Sequence, residues 1–144
     1  GVFAPEWVEP VARALLALGA ERAMVVHGLD GMDEISTTGA TLVAEVNGGG
    51  VNVREMTPED IGVARVSLDQ LRGGSVAENA EALMRLLRGE PGPFADLVVV
   101  NAGAAIQVAG LVGSLSDGVA AARASIASGK ALNALEALKR ASNG

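Results

Sequence analysis

The sequence predicts an α/β domain that is rich in helix and contains a few strands, two of which form a β-hairpin. Apolar residues recur at helical spacing near the start of the chain and are followed by a short, wholly apolar run. Two segments that alternate between apolar and polar residues come next, with a run of glycines between them. A helix, a turn and a buried strand in this order are typical of α/β domains. The 144 residues fit one such domain.

The first helix is predicted between Pro5 and Gly19. Proline is tolerated in a first helical turn because its missing N–H would be unpaired there, and glycine often ends a helix. The apolar residues at helical spacing between them are Val8, Val11, Ala12, Leu15 and Leu16. The run at 23–27 is short and apolar without alternation, which is typical of a buried strand, and we expect it to be parallel to its neighbours.

A hairpin is predicted from residues 41–46 and 51–55, in which apolar and polar side chains alternate. An asparagine and three glycines at 47–50 separate the two segments, and glycine can adopt the positive φ angles that a tight turn requires. The glycine run could also be interpreted as a phosphate-binding loop. Neither G-x-G-x-x-G nor G-x-x-x-x-G-K-[ST] is present, however, so the turn is favoured.

A helix is predicted to begin after Ser75, which has the capping-box spacing with Glu78, and to end at Gly89. Glycines 73 and 74 before it suggest an anion site at a helix N-terminus. The capping box already occupies the N–H groups that an anion would use. An anion site at this position is therefore disfavoured.

Further helices are predicted in the last third of the chain. Residues 94–111 could begin as a strand, but the length of the apolar segment favours a helix. Alanine is frequent beyond it and favours helix. Two more helices are expected to begin near Ser116 and near Ser128 or Gly129.

Composition excludes several classes of function. The formal net charge is −6 and aromatic residues make up 2% of the chain, which disfavours binding to a polyanion and stacking of bases. The absence of cysteine excludes disulfides, thiolate metal ligands and cysteine nucleophiles. Residues 11–26, the most apolar early stretch, contain three charged residues and are unsuited to crossing a bilayer. We expect a soluble cytoplasmic protein with neither nucleic acid nor a membrane as partner.

The loop after the first strand is the strongest candidate for chemistry. It follows a strand end, where open α/β sheets place their ligands, and it carries Asp30, Asp33 and Glu34. The adjacent carboxylates Asp33 and Glu34 repel each other unless a cation lies nearby, and Mg²⁺ binds one or two carboxylates together with waters and phosphate oxygens. The alternative is a solvated acidic turn that caps the next helix, which composition by itself favours.

His27 is the only histidine and stands at the end of the same strand. An imidazole can act as a general acid or base, or as a metal ligand. A polar residue at the end of a buried strand needs no such function, and this interpretation is the stronger of the two. No serine has a base at a telling spacing, so a nucleophilic triad has no support.

Residues 25–36, which read VVHGLDGMDEIS, closely resemble the C-terminal signature of the anthranilate phosphoribosyltransferases. The resemblance continues in family order and covers essentially the whole chain. Its further blocks are residues 58–62, 71–75, 78–80, 101–105 and 128–132. Departures are mild: Gly103 stands where the family usually has alanine, and Gln107 interrupts an apolar helix.

The resemblance implies the C-terminal part of an α/β/α domain, similar to that of the pyrimidine nucleoside phosphorylases. Residues 1–144 would be that part, and the N-terminal helical domain and the phosphate-binding half would lie outside the chain. The absence of an initiator methionine before Gly1 agrees with a piece cut from something longer. The family's phosphate loop and its anthranilate contacts have no match here.

The resemblance also implies the chemistry. Family members transfer phosphoribose from phosphoribosyl pyrophosphate to anthranilate in tryptophan biosynthesis, and they are usually homodimers through the helical domain. The positions of Asp33 and Glu34 match the family's Mg²⁺-binding pair, so the resemblance implies metal binding for both. No catalytic residue and no residue for an organic cofactor is implied within the chain, which is expected to be inactive alone.

Two other functions are weighed against this one. A pyrimidine nucleoside phosphorylase of the same fold would use inorganic phosphate and would not need the metal-binding pair. A non-catalytic relative that binds nucleic acid would need a basic surface, which the charge and the aromatic content disfavour. The loop at 27–34 therefore separates the first alternative from the favoured function, and the composition separates the second.

Overall fold

The computed structural model describes residues 1–143, which form five α-helices and three β-strands. The strands are β1 (Arg22–Gly28), β2 (Thr41–Asn47) and β3 (Gly50–Met56). The helices are α1 (Val8–Ala17), α2 (Val76–Leu87), α3 (Pro93–Val108), α4 (Leu115–Ala127) and α5 (Lys130–Ser142). Short 3-10 turns occupy Pro5–Trp7, Glu59–Ile61 and Leu68–Leu71. The prediction of a helix-rich α/β fold with one hairpin is confirmed.

The strands form an antiparallel sheet in the order β1-β2-β3. In the β2–β3 hairpin, Asn47 lies opposite Gly50, so the turn consists of Gly48 and Gly49 alone. Their φ angles are 57° and 80°, values that glycine adopts without steric penalty. Positive φ at both central residues is the feature of the hairpin turn that matches the twist of the strands. The predicted hairpin is confirmed, and its glycines form a turn.

The expected parallel direction of the first strand is wrong for the sheet that the described residues form. Strand β1 pairs antiparallel with β2, with Val25 opposite Ala44 and Gly28 opposite Thr41. A continuous apolar run reports that both faces of a strand are covered, and it carries no information on direction. Val25 packs in the cluster that contains α1, whereas Val26 packs in the cluster that contains α3.

The sheet separates two hydrophobic cores. On one face, Val8 and Ala12 of α1 are fully buried against the sheet. On the other face, α3 and α4 cover the sheet with Val100 and Val119. The apolar segment at 94–111 therefore forms a helix, as its length predicted. It is apolar because it contacts both the sheet and α4.

The helix boundaries follow local signals. The Ser75 N–H donates to Glu78 Oε2 at 2.7 Å and the Glu78 N–H donates to Ser75 Oγ at 3.4 Å, so the predicted capping box is confirmed. Helix α4 begins at Leu115, one residue before the predicted start near Ser116, and Ser114 is its N-cap. None of the helices in residues 1–143 is long and apolar enough to cross a membrane.

Candidate metal site in the loop after strand β1

The loop at 29–40 connects β1 to β2, and backbone hydrogen bonds hold it in a compact turn. The N–H of Gly28 donates to the Met32 carbonyl at 2.7 Å, and the N–H of Gly31 donates to the Gly28 carbonyl at 2.9 Å. Gly31 has a φ of 99°, a value that side chains rarely adopt. The N–H of Leu29 bonds to the Ala40 carbonyl at 2.8 Å and closes the two ends of the loop.

The carboxylate of Asp30 points into this loop. It accepts a hydrogen bond from the Met32 N–H at 3.1 Å, and the hydroxyls of Ser36 and Thr38 both donate to its Oδ2. Partial burial raises the pKa of Asp30, but these hydroxyl and N–H donors outweigh burial and hold the pKa below its ordinary value. Asp30 is therefore an internal anchor of the loop and is separated from the other two carboxylates.

Asp33 and Glu34 lie at the surface of the same loop, and both side chains are exposed. Neither carboxylate takes part in an ion pair with the described part of the chain. The alternative was a solvated acidic turn that caps the next helix. Strand β2 follows the loop, so the predicted helix cap is wrong. What remains is an exposed pair of adjacent carboxylates that makes no ion pair within residues 1–143.

The residue after this pair is held firmly. Ile35 is 1% exposed and belongs to the core between the sheet and α3. Its N–H donates to Asn101 Oδ1 at 2.9 Å and its carbonyl accepts from Asn101 Nδ2 at 3.0 Å. No function was predicted for Asn101. An amide side chain in the middle of an apolar helix is the signal that could have marked it, since such a group needs hydrogen-bond partners.

The start of the chain runs along the same region. The N–H of Val2 donates to the Val26 carbonyl at 3.0 Å, and a Cβ on Gly1 would overlap the carbonyl of Asp33. His27 is 5% exposed, and its Nδ1 donates to the Val2 carbonyl at 2.8 Å. The imidazole thus ties the start of the chain to β1, which agrees with the structural interpretation of His27.

The carboxylate pair fits Mg²⁺ as part of a site. Within residues 1–143, no group of three or more His, Asp or Glu side chains is placed to hold a metal ion. Mg²⁺ retains several waters and binds through one or two carboxylates together with phosphate oxygens, so it does not require such a group. The protein's contribution to a site of this kind would be these two exposed carboxylates, on a loop that hydrogen bonds hold in place.

A groove of about 350 Å³ lies beside the loop, between β1 and α3. Most of its lining is apolar and includes Met24, Val26, Ile35 and Ala104, with Asn101 among them. Its wall thus contains both Ile35 and the amide that holds it. The groove offers few charged groups, since only Arg22 among its lining residues carries a charge.

Residues 1–132 match the model of the family described as "Glycosyl transferase family, a/b domain". The match covers most of the chain, and the chain therefore belongs to this glycosyl transferase family. The structure agrees, since the matched region contains the whole three-stranded sheet together with α1 to α4.

Particular relatives are more specific. The chain is 49% identical over 144 residues to the anthranilate phosphoribosyltransferase of Parvibaculum lavamentivorans, and the alignment covers 100% of this chain and 42% of the relative. The crystal structure of anthranilate phosphoribosyltransferase from Thermus thermophilus matches with a TM-score of 0.86 and 47% identity, over 94% of this chain and 40% of that one. The chain thus spans about two fifths of the length of these relatives.

A more distant relative carries ligands. The anthranilate phosphoribosyltransferase from Saccharomyces cerevisiae in complex with PRPP and Mg matches with a TM-score of 0.83 and 26% identity. The match covers 94% of this chain and 40% of the yeast chain. The fold of the described residues is therefore shared with a phosphoribosyltransferase that binds PRPP and Mg.

Proposed function

We propose that this chain is part of an anthranilate phosphoribosyltransferase. The whole protein would transfer phosphoribose from phosphoribosyl pyrophosphate to the amino group of anthranilate and release pyrophosphate. The observation that carries this proposal is the exposed Asp33–Glu34 pair on a braced loop, in a chain 49% identical to an enzyme of that name. The PRPP and Mg complex of the yeast relative supports both the substrate and the ion.

The proposal includes the place of the chain in the whole protein. Residues 1–144 would be the C-terminal part of the α/β domain, and an N-terminal helical domain and the phosphate-binding half would belong to the rest of the protein. The order of the motif blocks supports this placement, and the coverage of about two fifths of the relatives agrees with a chain that is part of a longer protein. A cytoplasmic homodimer formed through the helical domain completes the proposal.

Asp33 and Glu34 would hold Mg²⁺ beside the pyrophosphate of the substrate. When bound, Mg²⁺ neutralises the negative charge that pyrophosphate gains as its bond to ribose breaks. The carboxylates themselves would hold the ion in place. Their exposure suits this task, because the remaining positions of the ion must be open to water and phosphate oxygens.

The test is the double substitution Asp33→Ala with Glu34→Ala in the full-length protein. We expect turnover to collapse and the Mg²⁺ dependence of the remaining activity to weaken, because the ion loses its protein ligands. Steady-state kinetics against Mg²⁺ concentration measure both quantities. Circular dichroism should show an unchanged fold, since both side chains are exposed.

The matched control is Glu6→Ala with Glu21→Ala, which also removes two exposed negative charges that make no ion pair with the described residues, one before α1 and one before β1. Its turnover and Mg²⁺ requirement should equal those of the unchanged protein. Near-normal turnover with an unchanged Mg²⁺ requirement in the Asp33 and Glu34 variant would contradict the assignment of the metal site.

A further inference from the structure

Asn101 of α3 contacts the loop at 29–40, called the metal loop below, through its side-chain amide, across 66 residues of sequence. Its Oδ1 accepts from the Ile35 N–H at 2.9 Å, and its Nδ2 donates to the Ile35 carbonyl at 3.0 Å. Nδ2 also donates to the Leu97 carbonyl, one helical turn back, at 3.0 Å. The amide is thus fixed by its own helix while it pairs with both polar groups of one loop residue.

This pairing fixes the backbone next to the carboxylate pair. A side chain that binds the N–H and the carbonyl of the same residue restrains the orientation of both flanking peptide groups. Ile35 directly follows Glu34, and its buried side chain packs in the same core cluster as Val100. The backbone after the pair is therefore held by both the side chain and the polar groups of Ile35.

The backbone before the pair is held by a different group. Asp30 accepts hydrogen bonds from the Met32 N–H and from the hydroxyls of Ser36 and Thr38. Asp33 and Glu34 lie between these two anchors, and their side chains make no ion pair within the described residues. Adjacent carboxylates repel each other. The distance between the Asp33 and Glu34 carboxylates therefore depends on how the backbone on either side of them is held.

We propose that Asn101 is a positioning residue for the metal site and that it acts through Ile35. It does not touch the metal; it holds the peptide group next to Glu34 so that both carboxylates face one ion. The proposal rests on the proposed function, in which Asp33 and Glu34 bind Mg²⁺. Partners that orient metal ligands typically contribute about 10–100-fold to affinity.

The chain offers a matched control in Asn79 of α2. Asn79 Oδ1 accepts from the Gly74 N–H at 2.8 Å, and its Nδ2 donates to the Gly74 carbonyl at 3.1 Å. This is the same pairing of one amide with one residue's two polar groups, but it braces the segment before α2 and makes no contact with the metal loop. Asn79→Ala therefore removes an equivalent pair of hydrogen bonds elsewhere.

The experiment uses the full-length protein and measures Mn²⁺ binding in the absence of substrates by electron paramagnetic resonance. We expect Asn101→Ala to weaken the Mn²⁺ affinity by about tenfold or more. The Mg²⁺ concentration for half-maximal turnover should rise in parallel, while kcat at saturating Mg²⁺ stays close to that of the unchanged protein. Asn79→Ala should leave all three quantities unchanged.

The outcomes separate this inference from the proposed function. If the Asp33 and Glu34 double variant loses Mn²⁺ binding while folded Asn101→Ala retains it, the positioning role is overturned and the metal site stands. If neither variant changes Mn²⁺ binding, the proposed metal site itself fails. Should Asn101→Ala not fold, Asn101→Asp keeps the acceptor for the Ile35 N–H and is measured instead. Loss of fold in both Asn101 variants would show a purely structural role and would also overturn the inference.

Discussion

Glu59 and Arg65 form a bidentate ion pair at the surface, in the segment between β3 and α2. Arg65 donates from Nε and Nη2 to the two carboxylate oxygens of Glu59, each at 3.0 Å. These hydrogen bonds from Arg65 lower the pKa of Glu59 to about 2. Asp60 beside it accepts from both the N–H and the hydroxyl of Thr57, so the turn after β3 is held by carboxylates.

This pair should make the stability of the protein depend on pH. The folded-state pKa of Glu59 lies below its ordinary 4.5, so the stabilisation is present above pH 4.5 and is lost as the pH falls toward 2. Glu59→Gln should lower the unfolding temperature slightly at neutral pH, and the difference from the unchanged protein should disappear only as the pH falls through about 2. Thermal unfolding of both proteins over this range measures the difference.

The effect should be small, because both side chains are exposed and solvent screens the interaction. Glu55→Gln is a suitable control, since Glu55 is exposed and takes part in no ion pair with residues 1–143. An equal loss of stability for Glu59→Gln at all pH values would contradict the role assigned to the charge of Glu59.

The three carboxylates of the metal loop have different environments, which the sequence does not show. Asp30, Asp33 and Glu34 have the same chemistry in the sequence, and Mg²⁺ could be assigned to any two of them. In the structure, hydroxyl donors occupy Asp30, whereas Asp33 and Glu34 face solvent. The adjacent pair was predicted through the family resemblance, and its metal binding remains a prediction.

Helices α3 and α4 approach closely at two glycines. A Cβ on Gly103 would lie 2.6 Å from the Val119 backbone nitrogen, and a Cβ on Gly118 would collide with the Gly103 carbonyl. Both glycines are buried, and the neighbouring atoms belong to the backbone, which cannot rotate away as a side chain can. The contact lets α4 pack tightly against the helix that carries Asn101.

We therefore expect Gly118→Val to destabilise the protein by about 1–3 kcal/mol, the usual cost of forcing extra atoms into a packed interior. The helix propensity of the new side chain offsets less than this loss. The unfolding temperature of the full-length variant measures the effect. Because α3 would be displaced, the Asn101–Ile35 hydrogen bonds should weaken as well.

Gly113→Val serves as the comparison for Gly118→Val. Gly113 is exposed, lies between the same two helices and has nothing within 4 Å of the position of an added Cβ. Its substitution should change the unfolding temperature little. Equal unfolding temperatures for the two variants would show that α3 and α4 can separate without cost.

At the scale of the whole molecule, the sheet is small. Within residues 1–143 it contains three strands, and on the side of β1 away from β2 the Val26 carbonyl accepts one backbone hydrogen bond, from the Val2 N–H. The apolar groove between β1 and α3 opens beside that edge. In relatives more than twice as long, further chain is available to cover these surfaces.

The 144 residues alone should therefore not catalyse phosphoribosyl transfer. Holding two substrates in register can supply roughly 7–11 kcal/mol of a reaction barrier, and that requires contacts to both substrates. The chain would offer two carboxylates for the ion, while two negative charges by themselves repel an anionic substrate. Fluorescence of phosphoribosylanthranilate, with both substrates and Mg²⁺ present, measures the reaction.

Two further measurements make this result interpretable. Circular dichroism establishes whether the isolated residues fold, and light scattering detects the self-association that an uncovered strand edge and apolar groove favour. The full-length protein at the same concentration is the positive control. Turnover of the isolated chain comparable to that of the full-length protein would show that the active site has been misplaced.

Much of the secondary structure could be predicted because its causes are local. The hairpin turn needs positive φ at two adjacent residues, which Gly48 and Gly49 provide. The start of α2 depends on the capping box, in which Ser75 and Glu78 each bind the other's backbone N–H. The start of α4 at Leu115 agrees with the predicted start near Ser116 to within one residue, and its cap is Ser114. Interactions within a few residues decide such features, so a single sequence contains them.

By itself, the sequence determined the class of fold, the elements and the segment on which the candidate metal site lies. The tertiary structure alone decided that β1 is antiparallel to β2, that Asp30 turns inward and that Asn101 holds Ile35. Hydrophobic patterning reports burial of a residue but not which distant segment covers it. A hydrogen bond between residues 66 positions apart exists only once α3 has packed on the sheet, so no local pattern could predict it.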